Sequence, residues 1–336
     1  MKSRKVLIIA EAGVNHNGSL ANCLKLVDAA KNAGADIVKF QTFQAKSLST
    51  KDSPKADYQK KFNKKETQYE MLKKLELSRP NHFKIIDYCK KKKIEFLSSG
   101  FDIDDLEFLK KLNLRRFKVP SGELTNYYYL KKIEYFKKEI ILSTGMSNIK
   151  EIKQALNILL KFGLKKNKIK LLHCTSEYPA SLSSLNLRAI SALKKKFNME
   201  VGYSDHSMSL VTPSIAVTLG AIIIEKHLTL HNKLVGPDHS SSLNPNDFCK
   251  MVNYIKQTES SMGTGKKIPS KKEIVNSKIV RKSIVVKKEI KKGEKFSIEN
   301  LTFKRPGTGI SPMKIKMLLK RNAKKNYKVD EIIKKI

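Results

Sequence analysis

Short runs rich in valine, isoleucine, leucine and phenylalanine recur along the chain, and each is followed by a stretch whose apolar residues return every three to four positions. Eight runs read as strands: VLIIA (6–10), DIVKF (36–40), IEFLS (94–98), RRFKV (115–119), EIILS (139–143), KIKLLH (168–173), MEVGY (199–203) and AIIIEKH (221–227). Between them lie segments of helical period, such as LANCLKLVDAAKNAG and NIKEIKQALNILLKFG. Strands alternating with helices in this way predict an α/β fold, a TIM (β/α)8 barrel over residues 1–262. Thr42 to Ser78 interrupts the rhythm after the second strand; it carries a helical patch at Gln68 to Leu75, and a connection of that length predicts a lid over the mouth. Residues 263–277 are polar, with Gly, Pro and Ser, and read as a linker; residues 278–336 alternate in the β manner around a Lys-Lys-Gly-Glu turn and predict a small second domain.

The barrel gives the polar residues a pattern. Strands end in Glu11, Lys39, Ser98, Lys118, Ser143, His173, Asp205 with His206, and Glu225 with His227. In this fold the C-terminal strand ends ring one mouth, so residues far apart in sequence are expected to share a cavity. Any one of them has an ordinary alternative as a capping or loop residue; their recurrence at one register is what points to chemistry. His227 and His231 are four apart, but the preceding AIIIE is too short and too β-branched for a helix, so helical zinc-site logic does not apply. His206 and His227, from adjacent strands, suit a borderline divalent ion such as Mn2+, Zn2+ or Co2+, with positions left for water or substrate. Lys39 and Lys118, with the hydroxyls of Ser121, Ser143 and Ser204, suit a phosphate or carboxylate ligand; pairing with Glu11, Glu123 or Glu225 is the alternative.

Charge changes this picture little. Lys and Arg total 68 against 31 Asp and Glu, a formal +37, but the lysines are scattered in short runs without aromatic interleaving. They read as a solvated surface rather than a nucleic-acid footprint, with a nucleic-acid-binding protein kept as the alternative from a different class. No apolar run approaches the ~18 residues of a membrane span. The basic N-terminus runs into Glu11 without a small-residue cleavage site, which suggests a first strand rather than a signal peptide. Cys23, Cys89, Cys174 and Cys249 are too far apart for a zinc knuckle or a disulfide framework, so a cytoplasmic location is expected. Cys174 ends the sixth strand, close to the expected mouth.

The motifs AEAGVNHNG (10–18), VKFQTF (38–43), KVPSGE (118–123), ILSTGM (141–146), HCTSEYPA (173–180), GYSDHS (202–207), EKHLTL (225–230), GPDH (236–239) and KRPGTGISP (304–312) resemble those of the sialic-acid synthase family, in order and over essentially the whole chain. The resemblance implies a barrel followed by a small antifreeze-like (SAF) domain. It also implies condensation of phosphoenolpyruvate with an N-acylated mannosamine-type aldehyde, with C–O cleavage, to give a nine-carbon 2-keto acid and phosphate. Carried over residue by residue, it makes His206 and His227 ligands of a divalent metal, Mn2+ foremost, with Mg2+ or Co2+ as alternatives. Lys39, Gln41, Ser99, Lys118, Ser121, Ser143, Ser176 and Ser204 would hold phosphoenolpyruvate. Glu11, Tyr178, Asp238 and Arg305 would hold the sugar, and Glu11, Glu123 and Glu225 would carry the catalysis, Glu123 where water is activated. Arg305 would come from the second subunit's SAF domain, which implies a domain-swapped homodimer. The chain departs from the family pattern at Gly100, Ser176, Ser181 and His231. Its Glu-Tyr-Pro motif and its tail look as much like synthases of legionaminic acid, which take a 2,4-diacetamido-trideoxy sugar, as like N-acetylneuraminate synthases. With imidazoles as ligands, activity is expected to fall below pH ~6.5.

Overall fold

All eight expected strands form: β1 Leu7–Gly13, β2 Ile37–Thr42, β3 Glu95–Gly100, β4 Arg116–Val119, β5 Glu139–Ser143, β6 Ile169–Cys174, β7 Val201–Asp205 and β8 Ile223–His227. They pair in parallel in chain order, and β8 closes onto β1 with His227 opposite Glu11. The computed structural model describes residues 5–56, 59, 66–161 and 163–335. Helices cover the barrel because their apolar residues fall on one stripe. Leu20–Asn32, capped by Ser19, buries Cys23, Leu26, Val27 and Ala30, and Ile149–Lys161 buries Ile152, Ala155, Leu156 and Leu159. The main core lies between these stripes and the outward side chains of the strands.

Inside the barrel a second, separate core consists of Ile9, Ile37, Leu97, Ile141, Leu172 and Ile223. Gly202 belongs to this level because a Cβ there would come within 2.6 Å of Leu172 Cδ2 and of the Ile223 carbonyl oxygen. Below it, Arg116 closes the N-terminal end by pairing with Glu95 at 2.9 Å and Glu139 at 3.0 Å. Side chains alternate along a strand, so the next inward position is two residues on. There the chain places Glu11, Lys39, Ser99, Ser143, Cys174, Ser204 and Glu225: a polar layer on an aliphatic floor.

That alternation corrects part of the expected ring. Ser98, His173 and Asp205 face outward. Ser98 bonds Thr42 Oγ1 at 2.7 Å, His173 bonds the Leu185 carbonyl at 2.8 Å, and Asp205 pairs with Lys226 at 2.8 Å. The physical reason is parity: the positions that line the cavity are Ser99, Cys174 and Ser204, each one residue from Ser98, His173 and Asp205, and a one-residue shift exchanges faces.

The segment expected as a lid contains the short helix Ala45–Leu48 and the helix Gln68–Leu75, the latter started by a Thr67–Glu70 capping box. Residues 57, 58 and 60–65 of that segment lie outside the described residues.

The chain divides into two compact units, Met1–Gly263 and Thr264–Ile336. Residues 263–277 are not simply a linker, because the helix Lys271–Val280 begins within them, started by a Ser270–Glu273 capping box. In the second unit β9 Ser283–Val286 pairs antiparallel with β10 Leu301–Lys304, around a core including Ile284, Val286, Phe296 and Leu301. The expected tight hairpin at Lys-Lys-Gly-Glu is not what joins them. Those residues sit in a longer connection whose ends bridge to Asn322 and Tyr327.

Candidate active site

The polar layer opens into a cavity of about 560 Å³ at the C-terminal end of the barrel, a size suited to a small-molecule site. Its charged floor is a buried quartet. Lys39 Nζ lies 2.8 Å from Glu11 and 3.7 Å from Glu225, and Glu225 also faces Lys118 Nζ at 3.4 Å. The lysines therefore do pair with carboxylates, as one of the two sequence readings allowed, yet they still line the cavity. Burial would lower Lys39, but Glu11 and Glu225 outweigh it and hold its ammonium above the usual range. Burial lowers Lys118 in spite of Glu225, and it raises Glu11 against the pull of Lys39. Glu225 resists the same burial because Lys118 and Lys39 flank it, which brings it down to about 2.

Hydrogen-bond donors concentrate on the β2–β6 side. Lys118 donates to Ser143 Oγ at 2.8 Å and Lys39 to Ser99 Oγ at 3.3 Å. Beyond β4 the chain turns through Ser121–Glu123, where Ser121 Oγ accepts from the Gly145 N–H at 3.1 Å and touches Cys174 Sγ at 3.3 Å. Gly145 keeps this cradle open: a Cβ there would lie 2.3 Å from Ser176 Oγ and 2.8 Å from Ser121 Oγ. Cys174 is thus part of the cavity wall.

Acceptors concentrate on β8 and β1. Gln41 Nε2 donates to Glu11 Oε1 at 3.2 Å, and Ser204 Oγ donates to Glu225 at 2.9 Å. The turn carrying Gly-Pro-Asp-His brings Asp238 into the cavity wall, where burial, with Glu11 nearby, pushes its carboxyl up to about 7. Along the strand order, the histidines of β7 and β8 stand between the donor side and the acceptor side.

His206 and His227 approach edge to face, with ring centroids 5.5 Å apart at 73°. Tyr178 stacks on His206 at 4.2 Å, and its hydroxyl lies 3.3 Å from His206 Nε2. His206 Nδ1 is 2.6 Å from the Thr175 carbonyl, which fixes the proton on Nδ1 and leaves the Nε2 lone pair facing the cavity. His227 Nδ1 is buried with no hydrogen-bond partner among the described residues, and Asp238 Oδ2 is 3.8 Å away. Burial lowers His206 to about 4 and His227 well below its ordinary value, so both rings stay neutral. Neutral imidazoles, one with its tautomer fixed and one with an unsatisfied nitrogen, fit a divalent cation whose other positions go to water or substrate. Among the described residues no group of three or more His, Cys, Asp or Glu side chains forms a closed metal site.

Most of the expected site residues thus meet in one cavity; two do not. Glu123 is absent from the cavity wall, and its carboxylate accepts from Asn126 Nδ2 at 2.7 Å in the turn it helps to form. Arg305 belongs to the second unit, where it is exposed. His231 lies in an exposed turn, with its Nδ1 accepting from the Lys233 N–H at 3.1 Å. Sequence reasoning missed Gly145, for which a glycine after Ser-Thr in a βα loop was the readable signal. It also missed the buried Lys226–Asp205 pair behind the histidines, whose lysine additionally donates to the Ser209 carbonyl at 3.2 Å. The apolar lid residues were missed as well.

A cavity of paired lysines, carboxylates and imidazoles at the C-terminal mouth of a (β/α)8 barrel marks the chain as an enzyme of that architecture. More particularly, it belongs to the NeuB family, whose model matches residues 26–267, and a SAF domain matches residues 281–335. The chain is 50% identical to the N,N'-diacetyllegionaminic acid synthase of Campylobacter jejuni subsp. jejuni serotype O:2, over 98% of this chain and 99% of that protein. It is 44% identical to the enzyme of the same name from Legionella pneumophila, over 93% and 89% of the two chains. A solved N-acetylneuraminic acid synthetase from Leptospira borgpetersenii, in complex with citrate, superposes with a TM-score of 0.73 at 33% identity, covering 82% of this chain and 90% of the other. The protein is accordingly a synthase of the nonulosonic-acid class.

Proposed function

We propose that the protein condenses phosphoenolpyruvate with an N-acylated amino-sugar aldehyde, releasing phosphate and a nine-carbon 2-keto acid, and that its acceptor is the 2,4-diacetamido-2,4,6-trideoxy sugar. One observation carries the reading: a single cavity has a donor-rich side and an acceptor-rich side, with two neutral imidazoles between them. The names of the relatives at 50% and 44% identity favour the diacetamido acceptor over N-acetylmannosamine.

On this reading Lys39, Lys118, Ser99, Ser121, Ser143 and Ser176 receive phosphoenolpyruvate, with Gly145 giving its phosphate room. Glu225, lying between the two lysines and accepting from Ser204, sets their spacing. Glu11, Tyr178 and Asp238 accept and orient the hydroxyls of the open-chain sugar. A divalent cation held by His206 and His227, Mn2+ foremost, would supply Lewis-acid polarisation of the aldehyde. Holding both substrates above the aliphatic floor lowers the entropic barrier to C–C bond formation, while the lid limits access of water. Arg305 of the partner subunit contacting the N-acyl group, in a domain-swapped homodimer, completes the proposal.

The test is phosphate release from phosphoenolpyruvate with Mn2+ and each sugar in turn. Release that requires a sugar supports the reading; no release with either acceptor, or equal release without one, refutes it.

A further inference from the structure

One side of the cavity serves none of the roles assigned above. Val14, Leu48, Met71, Leu72, Leu75 and Phe101 line it, and they form a small apolar cluster apart from both barrel cores. Met71, Leu72 and Leu75 fall on one face of the lid helix Gln68–Leu75 by their spacing, and Leu48 ends the short helix Ala45–Leu48. Leu48, Leu72 and Phe101 are only half-buried. Left against a water-filled polar cavity, such surface is unfavourable until something apolar covers it.

The wall begins where the acceptor side ends. A Cβ on Gly13 would lie 3.4 Å from Glu11 Oε1, 3.5 Å from Gln41 Nε2 and 3.7 Å from Asp238 Oδ2, and Val14 follows directly in sequence. A sugar whose hydroxyls reach Glu11 and Asp238 therefore has room for its remaining carbons against these six apolar side chains, with Gln59 and Gln68 as the polar members of the same side. Gln68 also lines the cavity, and its carboxamide oxygen accepts from Ser49 Oγ at 3.3 Å.

We infer that this lid wall selects the acceptor: it packs against the C6 methyl of a 6-deoxy sugar and the methyl of its C4 acetamido group, and disfavours a hydroxymethyl and a free C4 hydroxyl. The inference rests on the condensation proposed above and names the element that distinguishes its acceptors. A hydroxyl placed against the six apolar side chains gives up water without gaining a partner from them. An apolar pocket discriminates against an added hydroxyl by about a hundredfold and against a missing methyl by roughly ten- to a hundredfold, so selection rather than absolute exclusion is the expected outcome.

The experiment compares kcat/KM for 2,4-diacetamido-2,4,6-trideoxymannose and for N-acetylmannosamine in the full-length wild type, Leu72→Gln, Leu48→Gln and the conservative Leu72→Met. The wild type should prefer the 6-deoxy sugar by at least about tenfold. Each glutamine variant should shrink that preference about tenfold, through the KM of the deoxy sugar, with the KM of phosphoenolpyruvate unchanged; Leu72→Met should keep the preference. The two glutamine variants lie on different helices, so one remains informative if the other fails to fold. Equal losses on both sugars, or a wild-type preference for N-acetylmannosamine, would overturn the wall while leaving the condensation standing. Phosphate release with neither sugar in the wild type would overturn the condensation and the wall together.

Discussion

At the scale of single residues, the site works by burying charges in pairs and grouping hydroxyls and ammonium groups on one side of the cavity. Lys118, Ser121, Ser143 and Ser176 face a space kept open by Gly145. Gly145→Ala would drive a methyl against two serine hydroxyls, so the KM of phosphoenolpyruvate should rise by about tenfold or more while the sugar KM moves less, an outcome read from initial rates. An equal rise in both KM values would mean that the cradle is not where phosphoenolpyruvate sits. The histidines carry a correction of their own. A free imidazole suggested an acid limit near pH ~6.5; burial lowers His206 to about 4 and holds His227 well below its ordinary value, so the fall in activity is expected at a lower pH.

At the scale of elements, every strand was legible because short Val/Ile/Leu runs bounded by polar turns leave little choice of period. Their last residues were not, since a strand end is fixed by loop packing that no local pattern records. That is why Glu11, Lys39 and Glu225 were placed on the correct face while Ser98, His173 and Asp205 were not. The helix Lys271–Val280 hid in a segment read as linker because its apolar residues do not form one stripe. Its Ser-x-x-Glu start was nonetheless in the sequence. The lid helix was visible as a pattern, but its apolar face gains meaning only from the cavity beneath it.

The helix Ile103–Lys111 makes a stability prediction. Asp105 in its first turn is buried, and its Oδ2 finds no hydrogen-bond partner among the described residues. Burial, with Asp102 adjacent, pushes its carboxyl up to about 7. A folded pKa above the unfolded ~3.9 means that the folded state holds the proton more tightly. The associated stability is complete below pH ~3.9 and is lost as pH rises through about 7. Asp105→Asn lacks this titration and should gain on the wild type by on the order of 1–3 kcal/mol between pH 5 and pH 8.5. Urea midpoints at the two pH values decide it, and a constant difference would contradict the assignment.

At the scale of the whole molecule, two units with separate cores carry one proposed activity. If Arg305 completes the sugar site, a chain truncated after Ser270 should keep a cooperative barrel transition by circular dichroism yet lose at least about a hundredfold in kcat/KM. Arg305→Ala in the full chain should raise the sugar KM more than that of phosphoenolpyruvate. Full activity in the truncated chain would make the second unit dispensable. The +37 charge is not the site's, where Lys39 and Lys118 are matched by Glu11 and Glu225. It does not by itself define a partner.

The central claim is that two neutral imidazoles beside two buried lysines hold the cation that the condensation needs. The most direct measurement takes the wild type and the double variant His206→Ala/His227→Ala, determines bound Mn2+ after equilibrium dialysis, and follows keto-sugar formation in the same samples. The account predicts about one equivalent of Mn2+ and rapid turnover in the wild type, with both lost in a variant that still folds. Keto-sugar made at the wild-type rate by the double variant would contradict it.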